Sequence, residues 1–163
     1  ALALGRKTIG YDIERKYIEI AKKRCNQRGL FFCKSSEYMD EVYDNSIKLC
    51  ITSPPYLGLR NYSNNSSNIG NMENPFPSLE KVFKEIYRTL KFGGHFCLNV
   101  SDVFDKEKKE FTTFPYQLLS ICKKIGFKLD NTIIWDKDTN LKEWNIINNQ
   151  INTNHEYIWV LNK

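Results

Sequence analysis

Apolar positions along the chain fall into short runs that switch between two periods. Residues 7–13 (KTIGYDI) form a short β-prone run ending in an acid. Residues 15–28 then place Tyr17, Ile18, Ala21 and Cys25 on one helical face with Lys and Arg elsewhere, and Gly29 stops the pattern. Residues 30–33 predict a second strand, and 47–52 (IKLCIT) a third, which runs into Ser53-Pro54-Pro55-Tyr56. Leu79, Phe83, Ile86, Tyr87 and Leu90 recur at helical spacing. Ser78 is the expected N-cap of that helix, with Lys81 rather than Glu at N3, and Gly93-Gly94 its expected end. A strand over 95–100 (HFCLNV), an amphipathic helix over 114–125 closed by Gly126, and strands over 128–135 and 156–161 complete the chain. The order β-α-β-β-α-β-α-β-β predicts the α/β class, with a mostly parallel sheet. The last two strands, joined by an Asn-rich loop, are expected to pair antiparallel at one edge.

Composition sharpens this only in part. The 163 residues suit one domain spanning 1–163. Hydrophobic residues make up 41% and charged residues 26%, as in soluble globular domains. No apolar run approaches the roughly 20 residues of a membrane span, and the N-terminus lacks the layout of a secretory signal, so a cytoplasmic location is expected. The 5 cysteines form no CxxC pair and read as free thiols, three of them within apolar runs and expected to be buried. His155-Glu156 lacks the second His of a zinc helix, and no metal is expected. Trp135 and Trp159 lie in apolar runs and read as core. The polar stretch 58–77 is too long for an ordinary connection. A net charge of +5 permits a polyanionic partner without requiring one.

The most informative stretch is Ser53-Pro54-Pro55-Tyr56, directly after an apolar strand. In open α/β sheets ligands bind outside the carboxyl ends of strands. Two successive prolines stiffen the chain and remove two N–H donors, while their carbonyls remain as fixed acceptors. A hydroxyl precedes them and an aromatic ring follows. Such a cradle suits reaction at the exocyclic amine of a flat ring. Ser53 and the Pro54 carbonyl accept from the amine, and Tyr56 stacks on the ring.

These residues resemble a family, the DNA amino-methyltransferases that act at cytosine N4 or adenine N6. Residues 53–62 (SPPYLGLRNY) are similar to its SPPY-x-G-L-R-x-Y stretch. Ile69-Gly70 with Glu73, residues 88–94 (RTLKFGG) leading into 98–102 (LNVSD), 133–137 (IIWDK) and 155–158 (HEYI) resemble further motifs in the family's order. The resemblance implies a Rossmann-like methyltransferase sheet and S-adenosylmethionine as cofactor. It implies catalysis by Ser53, Pro54, Pro55 and Tyr56 on a base that is flipped or single-stranded. Cytosine N4 is favoured over adenine N6 by the serine of the motif.

For the cofactor, residues 10–13 (GYDI) resemble the family's second motif, so Asp12 is expected to hold the ribose hydroxyls, with Ile13 beside it. Ser35 stands near the expected adenine contact, although Lys34-Ser35 replaces the usual Gly-Asp, and Lys48 replaces an acid. Arg60, Tyr62 and Lys137 are the expected DNA contacts. The family's first strand and glycine-rich cofactor loop have no counterpart here. The chain is therefore expected to be N-terminally incomplete, or to receive that strand from a partner chain. The alternatives are a non-catalytic fragment or subunit of a split enzyme and an RNA amino-methyltransferase.

Overall fold

A computed structural model describes residues 1–56, 63–105, 108–137 and 155–163. They divide into two compact units, residues 1–42 with 57–85, and residues 43–56 with 86–163.

In the first unit a 3-10 turn, Leu2–Leu4, precedes β1 (Ile9–Asp12), α1 (Arg15–Arg24) and β2 (Leu30–Cys33). β1 and β2 pair in parallel, with Asp12 opposite Cys33 at their carboxyl ends. Helix α1 stops earlier than its apolar pattern predicts. Asn26 and Gln27 take left-handed backbone (φ 48 and 58) ahead of Gly29, and Asn tolerates that region well. Only Ile18 of the expected face is buried in α1. Residues 63–72 of the polar stretch are folded by their own asparagines. The Asn65 and Asn68 side-chain carbonyls each accept a backbone N–H two residues on, and Asn71 Nδ2 donates to the carbonyls of Ser63 and Asn65 (2.7 and 3.1 Å). Asparagine is frequent there because its amide replaces the backbone partners that regular structure would supply.

Helix α2 spans Phe76–Thr89. It begins before Ser78, contrary to the predicted cap. Asn74 Oδ1 accepts from Phe76 N at 3.3 Å, and Pro77 is tolerated in the first turn where no intrahelical N–H is needed. The Ser78 hydroxyl instead donates to Met72 Sδ. The helix also ends before Gly93-Gly94. The N–H groups of Asn45 and Ser46 donate to the carbonyls of Arg88 and Thr89, and Leu90 already starts a strand.

The second unit is built on a sheet in the order β3-β4-β8-β7, formed by Ile47–Thr52, Leu90–Val100, His155–Asn162 and Lys128–Asp136. β3 runs parallel to β4, and β8 is antiparallel to both β4 and β7, as expected for the terminal pair. The register slips between Ile47, opposite Leu90, and Leu49, opposite His95. Gly94 makes this slip possible: a Cβ there would lie 2.8 Å from the Lys91 carbonyl and 3.2 Å from those of Ile47 and Lys48. Two short strands that the sequence pattern did not indicate, β5 (Phe104–Asp105) and β6 (Glu110–Phe111), pair antiparallel. Helix α3 (Phe114–Ile125) follows, as predicted.

The core of this unit is Phe96, Leu98, Val100, Trp159 and Leu161 from one sheet face with Phe114, Leu118, Cys122 and Phe127. The opposite face stays open: Leu49 is 52%, Ile51 67% and Ile133 48% exposed. Trp135, read from sequence as core, is 50% exposed because it lies on the edge strand β7. Three cysteines were expected to be buried, but Cys122 alone is: Cys33 is exposed at the end of β2, and Cys25, Cys50 and Cys97 are half-buried. All five are free thiols.

Candidate functional site

In the first unit the carboxyl ends of β1 and β2 carry acceptors. Asp12 Oδ1 accepts from Glu14 N at 2.8 Å, which ties the strand end to the start of α1. The Ile13 carbonyl faces Cys33 Sγ at 3.7 Å. Glu14 was not singled out by sequence, yet its Oε1 is buried with no hydrogen-bond partner among the described residues. A buried acceptor of this kind costs free energy unless a donor reaches it. Ser35 Oγ accepts from Glu37 N and donates to Glu37 Oε2, both at 3.2 Å, so its hydrogen is committed and only acceptor capacity remains. Lys34 turns to Asp40 and Glu41 at 3.3 and 3.1 Å. Hydrogen bonding to Glu41 raises its pKa, and its charge is matched locally.

In the second unit Ser53-Pro54-Pro55-Tyr56 leaves the carboxyl end of β3. Ser53 is exposed, Pro54 is buried, and Pro55 and Tyr56 are half-buried. The Tyr56 ring meets the buried Phe114 edge-on, with centroids 6.3 Å apart. This edge contact anchors the ring on α3. Arg60 and Tyr62 lie outside the described residues. Lys137 is exposed and pairs with Glu156 at 2.7 Å.

The same end of the sheet carries two polar links that sequence reasoning did not assign. Asn99 Nδ2 donates to Glu156 Oε2, joining β4 to β8. The Tyr157 hydroxyl donates to Asp102 Oδ2 at 3.2 Å. The Tyr157 ring lies between His155 (5.1 Å) and Trp159 (6.0 Å). The only signal for these links in the sequence was their place in the runs 98–102 and 155–158.

Burial, reinforced by the charge of Asp102, pushes the Tyr157 phenol from 10.0 up to about 12. Burial pushes the Cys50 and Cys122 thiols from 9.0 up to about 12 as well. Each raised group keeps its proton in the folded state after the unfolded chain has lost it. The stabilisation is therefore complete below about pH 9 and falls as pH climbs toward 12. Thermal melting followed from pH 8 to 12 should show this loss, and Tyr157→Phe should make the decline shallower above pH 10. An unchanged slope in that variant would show that the phenol titrates normally.

In each unit a parallel strand pair ends in polar residues, Asp12 in the first and Ser53-Pro54-Pro55-Tyr56 in the second, at the carboxyl ends where α/β proteins bind ligands. Residues 47–163 match the DNA methylase family (N6_N4_Mtase), and the chain belongs to that family. It is 30% identical over 151 residues to the type II methyltransferase M.SmaI of Serratia marcescens, covering 74% of this chain and 51% of that protein. It is 34% identical over 112 residues to the type II beta methyltransferase M.BslI of Bacillus sp., covering 63% of this chain and 12% of that protein. The chain thus spans about half or less of these relatives. Among solved structures, the PvuII DNA methyltransferase, named as cytosine-N4-specific, superimposes with a TM-score of 0.61 at 15% identity, over 81% of this chain and 48% of that one. A DNA modification methylase of Thermus thermophilus, complexed with S-adenosyl-L-methionine, gives 0.59 at 24% identity, over 97% and 56%. These likenesses establish the methyltransferase fold.

Proposed function

We propose that the protein transfers a methyl group from S-adenosylmethionine to the exocyclic amine of a base flipped out of DNA, with cytosine N4 favoured over adenine N6. The observation that carries this reading is the Ser53–Tyr56 cradle at the end of β3, its Pro54 buried and its Tyr56 ring anchored on Phe114. An aromatic amine is a weak nucleophile because its lone pair is shared with the ring. Ser53 Oγ and the Pro54 carbonyl accept its two N–H bonds and favour a more pyramidal nitrogen. Neither Pro54 nor Pro55 offers an N–H to compete for that lone pair. The Tyr56 face stacks on the base and replaces the stacking lost on flipping.

When bound, S-adenosylmethionine supplies an activated methyl group on a sulfonium. The residues of the first unit fit its nucleoside end. Asp12 keeps one carboxylate oxygen beyond that used by Glu14 N, and Glu14 Oε1 is a buried acceptor awaiting a donor. Both match ribose hydroxyls. Ser35 contributes acceptor capacity nearby, and Ile13 sits between the two acids. With Lys137 paired to Glu156, the phosphate contact falls to Arg60, while Tyr62 helps clamp the base.

Incubation of the full-length protein with DNA and S-adenosylmethionine, followed by mass spectrometry of the nucleosides, is expected to yield N4-methylcytosine. N6-methyladenine would reassign the base, and an unmodified digest would refute the activity.

One observation favours a second reading. Among the described residues β3 pairs only with β4, and β1 only with β2. Strands with an open edge and apolar side chains accept a further strand. In this reading methyl transfer needs another segment or a partner chain laid against Ile47–Thr52. Calorimetry of residues 1–163 with S-adenosylmethionine is then expected to show weak binding at most, and tight binding would rule the requirement out.

A further inference from the structure

We infer that Asn99 is a further acceptor of the base site, held in place beside Ser53 by the Lys137–Glu156 pair. This rests on the reading of the chain as an amino-methyltransferase. The last registered pair of β3 and β4 is Thr52 with Leu98. The next residues, Ser53 and Asn99, therefore stand side by side at the carboxyl end. Alternation along β4 puts Asn99 on the open face with His95 and Cys97, while Phe96, Leu98 and Val100 face the core.

The orientation of the Asn99 amide follows from its partner. An ionised carboxylate only accepts, so the group facing Glu156 Oε2 is the amide nitrogen. Glu156 belongs to β8, and β8 and β3 flank β4 on opposite sides. With Nδ2 turned toward β8, the Oδ1 branch of the planar amide turns toward β3 and Ser53. Glu156 cannot rotate to offer another arrangement, because its second oxygen is held by Lys137 Nζ at 2.7 Å. The Lys137 ammonium also offsets the charge of the carboxylate, which is mostly buried. Lys137 and Glu156 are thus positioning residues, and the oxygen that they aim is a neutral acceptor. A neutral acceptor beside Ser53 suits the N–H of an aminated base and is unsuited to a phosphate or carboxylate.

Three variants of the full-length protein test this in single-turnover methylation of DNA, with KM and thermal melting measured in parallel. Asn99→Leu keeps the volume and removes the acceptor, and is expected to lower the rate by about 10²-fold, the usual loss for one preorganised hydrogen bond, with little change in KM. Glu156→Gln should lower it similarly. Lys137 retains the oxygen of the introduced glutamine, whose amide nitrogen then faces Asn99. The Asn99 amide flips in response and turns its own nitrogen toward Ser53. The double variant Asn99→Asp with Glu156→Gln should recover most of the rate, because one Asp oxygen accepts from the introduced glutamine amide and the other faces Ser53. An active wild type with an unimpaired Asn99→Leu variant overturns the assignment alone. So does a double variant as slow as Glu156→Gln while melting like the wild type. A wild type that methylates no DNA overturns the functional reading and this assignment together.

Discussion

Replacing Tyr56 with alanine is expected to lower methyl transfer to DNA by roughly 10- to 100-fold. The estimate follows from stacking, which contributes about 1–3 kcal/mol per base on an aromatic platform. Ser53 and the Pro54 carbonyl remain in that variant, so the amine still finds acceptors while the ring plane is no longer fixed. The edge contact with Phe114 is also lost, a smaller effect of about 0.5–1.5 kcal/mol that loosens the cradle itself. Tyr56→Phe keeps both the ring faces and the edge contact, and should retain most of the rate. Steady-state kinetics on one DNA substrate separate the two variants. An alanine variant at wild-type rate would mean that Tyr56 is only a turn residue packed on α3.

The largest effect on stability is expected at Phe96. Its side chain is fully buried, its ring lies 5.4 Å from that of Phe127, and its strand neighbours are Cys50 and Leu161. Phe96→Ala removes a ring from the middle of the sheet and leaves a cavity among β-strands that cannot collapse easily. Such truncations cost about 3–5 kcal/mol. Against the usual total of about 5–15 kcal/mol this is a large part of the margin. Urea denaturation should show an unfolding free energy lower by that amount, read as an earlier midpoint with a similar slope. A shift below about 1 kcal/mol would mean that this part of the core repacks freely.

The elements whose side chains repeat over several turns were legible from sequence. The face of α3, the parallel strand before Ser53 and the antiparallel terminal pair all follow from local periodicity. The ends of α1 and α2 were less so. They depend on two left-handed residues, Asn26 and Gln27, and on carbonyls taken by Asn45 and Ser46 from another part of the chain. The exposure of Trp135 depends on its strand being an edge, which no local pattern records. At the candidate site Ser53–Tyr56 stood out because two prolines directly follow an apolar strand, and the later motifs in the family's order, not these four residues alone, carried the resemblance. The orphan oxygen of Glu14 and the Asn99–Glu156–Lys137 link were not. The link joins side chains from three parts of the chain, and only the register of β8 between β4 and β7 brings them together.

The position of β8 also governs when the protein can fold. Among the described residues it follows all the other strands of this sheet in sequence, yet it lies inside the sheet, with β4 on one side and β7 on the other. On the ribosome β4 and β7 emerge without a common neighbour, and the sheet closes only when residues 155–162 have left the exit tunnel. Until then Phe96 and Leu98 lack their β8 neighbours Leu161 and Trp159, a stage at which unpaired strands with apolar side chains are prone to associate wrongly.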